Sequence, residues 1–336
     1  MTKLSVLLLL VLLYSCEKGS EIPPESAGET VNPPVTTPVE PEVPSDNGFK
    51  PYSLNDRAFP DDNIWNKDIS SEPVDPLSDK IISSLGKSGT LHADFGTTWA
   101  GQKLGIPFAV VNGNQPKVPV KFLYAEWSDK GPYPIPPDVQ IQHSQNSTGD
   151  RHVVVVDQDN GLLYEMYRAF PDGKGGWTAD SGAIFDLKTN KQRPANFTSA
   201  DAAGLPIFPA LVRYDEVVVQ GEIRHAMRVT ANKTRRAYVF PATHQAGSSQ
   251  DEALPPMGAR LRLKANFDIS KYSRNVQVIL RALKKYGMFV ADNGVSWQIT
   301  GDHHMSWDDQ ELSQLRSVPG SAFEVIKMPP LQFTPW

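Results

Sequence analysis

The chain has 336 residues, 33 Lys and Arg against 38 Asp and Glu, a formal net charge of −5 and a single cysteine, Cys16. With no basic excess or long basic stripe, a phosphate-tracking nucleic-acid surface is excluded as an expectation. One thiol excludes an internal disulfide framework and a cysteine-ligated metal centre.

Residues 4–13 form an apolar run after Lys3, and Leu13-Tyr14-Ser15 leads directly into Cys16. Such a run is too short to span a bilayer, which needs about 20 residues, so it reads as an export signal. It resembles bacterial lipoprotein signal peptides. That resemblance implies cleavage before Cys16, a lipid (palmitate-type) anchor on its thiol and attachment to the cell envelope. An ordinary secretory signal with an incidental cysteine is the alternative. Residues 16–47 are expected to be a lipidated, disordered tether: seven prolines and seven acids with few apolar residues cannot offset the entropy of ordering. An extended, proline-rich spacer of this length reaches roughly 90 Å. The acids after Cys16 resemble the export tags of some Gram-negative surface lipoproteins, which implies the outer membrane and a surface-exposed position. The signal carries one Lys and the tether seven acids against one Lys, which leaves residues 48–336 formally neutral.

That body is long enough to bury about 75% of its unfolded surface without disulfides. A short helix is predicted over 78–85, then strands over 107–111 and 118–126. The proline-rich stretch 131–137 carries Tyr133 and Ile135 and reads as packed chain. Residues 151–157 and 162–168 are β-branched and apolar on either side of Asn160-Gly161, a hairpin signal. Gly173-Lys174-Gly175-Gly176 lacks a strand-loop-helix setting and reads as a turn. Further strands are predicted over 182–187, 222–230, 236–240, 259–264, 289–291 and 323–327. A helix over 275–286 places Val276, Ile279, Leu280 and Leu283 on one face, with Gly287 as its stop, and a second helix is predicted over 307–316 with Ser306 as N-cap. Many short strands, two or three helices and no fixed repeat predict a single mainly β domain over 48–336, a β-sandwich or jelly roll with a few peripheral helices.

No nucleophile elbow, phosphate loop, HExxH or dinucleotide fingerprint is present, and no cofactor is expected. What remains is a scattered polar set. Strand alternation across an even-numbered hairpin loop puts His152, Glu165 and Tyr167 on one face, preceded by Asp150 and Arg151. These groups suit proton transfer, sugar hydroxyls, or simply each other's hydrogen bonds. His225 shares a face with Ile223 and Met227, His244 ends a strand, and the spacing of His152, His225 and His244 matches no metal site. Residues 198–206 read as a capped helical turn in which Asp201 is either a cap or a site acid. Arg213, Asp215 and Asp180 add charge. Trp99, Trp127, Tyr133, Trp177, Trp297 and Trp307 lie in segments rich in Gly, Pro, Ser or Asp, where rings could stack on sugars or pack in the core.

Asp150-Arg151-His152, the segment from Gly176 to Ala183, the segment from Ala200 to Pro206, Ile223-Arg224-His225-Ala226 and Pro241-Ala242-Thr243-His244 are similar to a family of exported bacterial proteins with no established activity. The resemblance implies a shared domain and transfers no catalytic residue. The expected function is a cell-surface glycan-active enzyme, a glycoside hydrolase with paired carboxylates drawn from Glu165, Asp150, Asp180, Asp201 and Asp215, with His152, His225 and His244 as proton-carrying or orienting partners. Arg151, Tyr167, Trp177, Asp180 and Arg213 are the expected substrate-binding residues, and a polysaccharide or oligosaccharide is the expected partner. The alternatives are a surface glycan-binding lipoprotein without chemistry, or a lyase on uronic-acid polymers in which Arg151 or Arg213 neutralises a carboxylate.

Overall fold

The structure, a computed structural model, describes residues 57–334. The signal, Cys16 and the tether lie outside the described residues. In chain order the strands are β1 His92–Asp94, β2 Thr98–Trp99, β3 Gln102–Lys103, β4 Phe108–Val111, β5 Val120–Phe122, β6 Val153–Asp157, β7 Leu162–Tyr167, β8 Phe170–Pro171, β9 Trp177–Ala179, β10 Ser181–Asp186, β11 Met227–Ala231, β12 Arg260–Leu263, β13 Met288–Asn293, β14 Gln298–Thr300 and β15 Phe323–Val325. The α-helices are α1 Ser78–Leu85, α2 Arg274–Lys285 and α3 Asp309–Leu312. Strand outweighs helix, and the domain is mainly β and sandwich-like, as its short strands and frequent turns predict.

A six-stranded sheet runs β1-β14-β11-β13-β12-β15, and a four-stranded sheet runs β10-β7-β6-β4. Val154 and Val156 of β6 and Leu163 of β7 share the main core with Met227, Val229, Leu261 and Ile299 of the larger sheet. The opposite face of the four-stranded sheet, through Val153, Val155, Tyr164 and Met166, buries a second cluster with Tyr133 and Ile135. Four successive valines are therefore apolar on both faces because β6 is covered on both sides.

The helix over 275–286 forms as α2, Arg274–Lys285, with Val276, Ile279, Leu280 and Leu283 buried and Lys284 and Lys285 in its last turn. Gly287 follows at φ 67°, and a Cβ there would sit 2.2 Å from the Leu261 carbonyl oxygen. Both conditions demand glycine. Gly287→Ala is expected to cost about 2–3 kcal/mol through backbone strain and displacement of β12, read as a lowered urea midpoint; an unchanged midpoint would refute that packing.

Several local expectations are corrected. Residues 236–240 form no strand; Tyr238 makes only isolated bridges, to Met257 and Gln332. The strand expected from 222 begins only at Met227, after a π-helix Asp215–Gln220. The helix expected from Trp307 starts later: Asp308 is the N-cap, accepting from the Glu311 N–H, and Trp307 is buried with its indole donating to Asp302. The chain then tightens into a 3-10 turn, Ser313–Ser317. Tyr133, Trp297 and Trp307 are core residues, not sugar platforms. Trp297 donates its indole N–H to the Leu85 and Gly86 carbonyls, and Gly89 and Gly320 leave room for its ring.

Candidate functional site

The β6–β7 hairpin closes through residues 158–161, where Asn160 donates backbone and side-chain N–H groups to Asp157 and Gly161 takes φ 60°. Val154 pairs with Glu165 and Val153 with Met166, so His152, Glu165 and Tyr167 do share one face. The His152 and Tyr167 rings are 5.5 Å apart. Glu165, however, is sealed. Its carboxylate accepts the Ile207 N–H at 2.9 Å and the Phe208 N–H at 2.8 Å, tying β7 to the 3-10 turn Phe208–Ala210. Burial pushes its pKa up to about 7 against the pull of those two amides.

Because this pKa is raised on folding, the protonated form is favoured in the native state. The stability it contributes is fully present below about pH 4.5 and is lost as pH rises through about 7. Glu165→Gln is therefore expected to cost about 1–3 kcal/mol near pH 5, where its amide N–H₂ faces amide donors, and visibly less near pH 8. Melting temperatures of both proteins at the two pH values check this, and a cost that grows with pH would overturn it.

His152 lies behind the same face. Its Nε2 is 3.0 Å from the Ala200 carbonyl oxygen and its Nδ1 faces the Gln142 amide. Burial pushes its pKa down to about 4, so the imidazole is neutral near pH 7. Ala200 belongs to the 198–204 segment, which is a tight turn and not a helix. Ser199 Oγ accepts the Asp201 N–H, Asp201 Oδ1 accepts the Ala203 N–H, and Gly204 ends the turn at φ 73°. Ala203 N–H also reaches the carbonyl of Ala291, the residue inserted where the β11–β13 register slips. A β-bulge thus anchors the turn.

This anchoring places two carboxylates on one cation. Arg228 of β11 donates Nε and Nη2 to Asp201 Oδ2 at 3.0 and 2.7 Å, and Nη1 to Thr300 Oγ1 at 2.9 Å. Asp292, near the end of β13, has its Oδ2 4.0 Å from the same Nη2. The Asp201 and Asp292 oxygens at 2.7 and 4.0 Å from one nitrogen can be no more than 6.7 Å apart. Burial pushes both carboxyls up while Arg228 pulls both down, and each feels a neighbouring acid. Asp201 accepts three N–H bonds, which favour its charged form, whereas Asp292 accepts one, from the Asn293 N–H.

Above them opens a cleft of about 340 Å³ bounded by Tyr124, Asp150, Tyr167, the 198–202 turn, Asp292 and Asn293. Asp150 is exposed and acts electrostatically on Asp292 and Tyr167. Of the expected site residues, Asp150, Tyr167 and Asp201 converge here, with His152 and Glu165 behind the wall. His244 supports the turn, its Nδ1 3.0 Å from the Ala202 carbonyl oxygen. Asp180 pairs with Arg168 at 3.4 Å and acts on Tyr167.

Arg151, Arg213, His225 and Trp177 take other positions. The buried Arg151 guanidinium is occupied by the carbonyls of Ala169, Ser144, Gln145 and Ser147. Arg213 pairs with Asp215 and Glu216, and His225 Nε2 lies 3.0 Å from Glu216. Burial alone would raise Glu216, but Arg213 and His225 hold its carboxyl below the usual range. Trp177 packs against the second apolar cluster. Among the described residues no group of three or more His, Asp or Glu side chains is arranged to hold a metal ion.

Sequence reasoning missed Asp292 and the central part played by Arg228. The available signal was an acid closing an apolar strand, Met288–Asn293, which runs parallel to Met227–Ala231; the carboxyl ends of parallel strands are favoured places for ligands. No family model matches the chain, and no curated protein or solved structure matches it.

Proposed function

We propose that the domain is a glycan-active hydrolase whose acid is Asp292. The observation that carries this reading is the pair of carboxylates, Asp201 and Asp292, on one guanidinium at the floor of a polar cleft. Desolvation and the nearby Asp150 raise the Asp292 carboxyl above the usual carboxylate range, which favours its holding a proton. It donates that proton to the leaving oxygen of the scissile bond. Asp150, which lines the same cleft, takes a proton from the attacking water. Asp201 and Arg228 do not exchange protons; they fix the local charge, while Tyr167, which lines the cleft, offers its phenol to a sugar hydroxyl. The lyase alternative loses support because Arg151 and Arg213, its expected carboxylate binders, are engaged elsewhere.

The exposed rings of Tyr124 and Trp127 suit a glycan-binding protein without chemistry as well. Reducing-end release from a panel of polysaccharides separates the two readings: release by the wild type supports hydrolysis, and binding without release supports the binder. With the lipid anchor proposed at Cys16, either activity would work at the outer-membrane surface.

A further inference from the structure

Resting on that glycan reading, we propose that the substrate is an uncharged oligosaccharide several residues long, held at one end in a second cleft beside Trp99. This cleft, about 450 Å³, is bounded by His92, Asp94, Trp99, Gln298 and Arg316 among others. Trp99 stands in the β2–β3 hairpin with 74% of its surface exposed. An indole with so little protein contact is free to stack on a sugar ring.

Both clefts are lined in part by strands of the six-stranded sheet. His92 pairs with Gln298 and Asp94 with Thr300 in the parallel β1–β14 register, so these four side chains lie on one face. Thr300 accepts from Arg228, and Arg228 holds Asp201. Asp94 in turn feels the charges of Arg228, His143 and Asp150. From Asp94 on β1 to Asp292 on β13 there are three inter-strand steps, about 14 Å. A ligand that engages both ends must extend along that distance.

Charge decides the sugar class. Apart from Asp292, the proposed acid, the two clefts present Asp94, Asp150, Asp201 and Asp309. Against them stand Arg228, tied to Asp201, and Arg316, whose Nε donates to His92 Nδ1 at 3.1 Å. A uronate would bring like charge to this wall, whereas neutral hydroxyls can donate to its carboxylates.

Calorimetric titration of wild type, Trp99→Ala and Trp99→Phe with cello-, xylo-, manno-, malto- and laminari-oligosaccharides of two to six units, and with oligogalacturonates, tests the proposal. In one neutral series affinity should rise with length. Trp99→Ala should weaken the six-unit ligand about tenfold and the two-unit ligand less than twofold, with Trp99→Phe recovering most of the loss. Oligogalacturonates should bind at least tenfold more weakly. A loss independent of length, or none at six units, overturns the second cleft as a subsite; preference for oligogalacturonates overturns the charge argument. A wild type that binds no series overturns this inference together with the glycan reading, while length-dependent binding without reducing-end release overturns only hydrolysis.

Discussion

Asp292→Asn is expected to lower the rate of glycan cleavage at least 100-fold while shifting the melting temperature by no more than about 2 °C. General acid catalysis contributes about 10² to 10⁴ in rate, and asparagine keeps the shape of the side chain without its titrating proton. The Asp292 side chain is partly exposed near the end of β13, so a neutral isostere opens no cavity. The pH profile gives a second readout. A general acid must be protonated, so wild-type activity should fall as pH rises through the elevated pKa of Asp292. In Asp292→Asn any residual activity should lack the alkaline fall. Glu126→Gln, exposed and not among the residues that line the cleft, serves as the control and should change neither rate nor profile. Full activity in Asp292→Asn would remove this residue as the acid.

The parts of the fold written in local pattern were legible. Four valines, an Asn-Gly turn and a second apolar run dictate the β6–β7 hairpin, and a 3.6-residue apolar stripe ending at Gly287 dictates α2. The centre of the larger sheet was not legible in the same way. There β11 lies between β13 and β14, and β1 joins β14 from some 200 residues earlier in the chain; no short-range signal records such pairings. The site follows the same division. Alternation correctly put His152, Glu165 and Tyr167 on one face, yet it cannot say how deep a face lies. Glu165 is consumed by amides about 42 residues later, while Asp201 is drawn to Arg228 by a turn hung on the Ala291 carbonyl. Asp292 follows an apolar run, and its significance depends on a bulge and on a cation from a neighbouring strand, which the run does not record. Aromatic placement left both outcomes open for a related reason: Trp297 sits in a Gly- and Ser-rich segment, but glycines at 89 and 320 make room to bury it.

Arg228→Met is expected to destabilise the domain by about 3–5 kcal/mol, because it strands the fully buried Asp201 carboxylate beside Asp292 and Glu165. Asp201→Asn should cost less, about 1–3 kcal/mol, since Arg228 retains Thr300 and stays near Asp292. The double variant Arg228→Met/Asp201→Asn should be less destabilised than the sum of the singles by at least about 1 kcal/mol, as charge and countercharge leave together. The pH dependence has a definite sign. Removing the cation raises the Asp201 pKa further, and a carboxyl raised on folding loses its stabilising contribution as pH rises, so Arg228→Met should be weaker at pH 8 than at pH 5 by more than the wild type is. In the double variant that extra dependence should disappear, because asparagine does not titrate. Urea unfolding of all four proteins at both pH values, with slopes compared to confirm that the denatured state is unchanged, measures the coupling. Additive losses with no change in pH dependence would mean that Asp201 and Arg228 are neighbours without being energetic partners, and the charge distribution that leaves the proton on Asp292 would lose its basis.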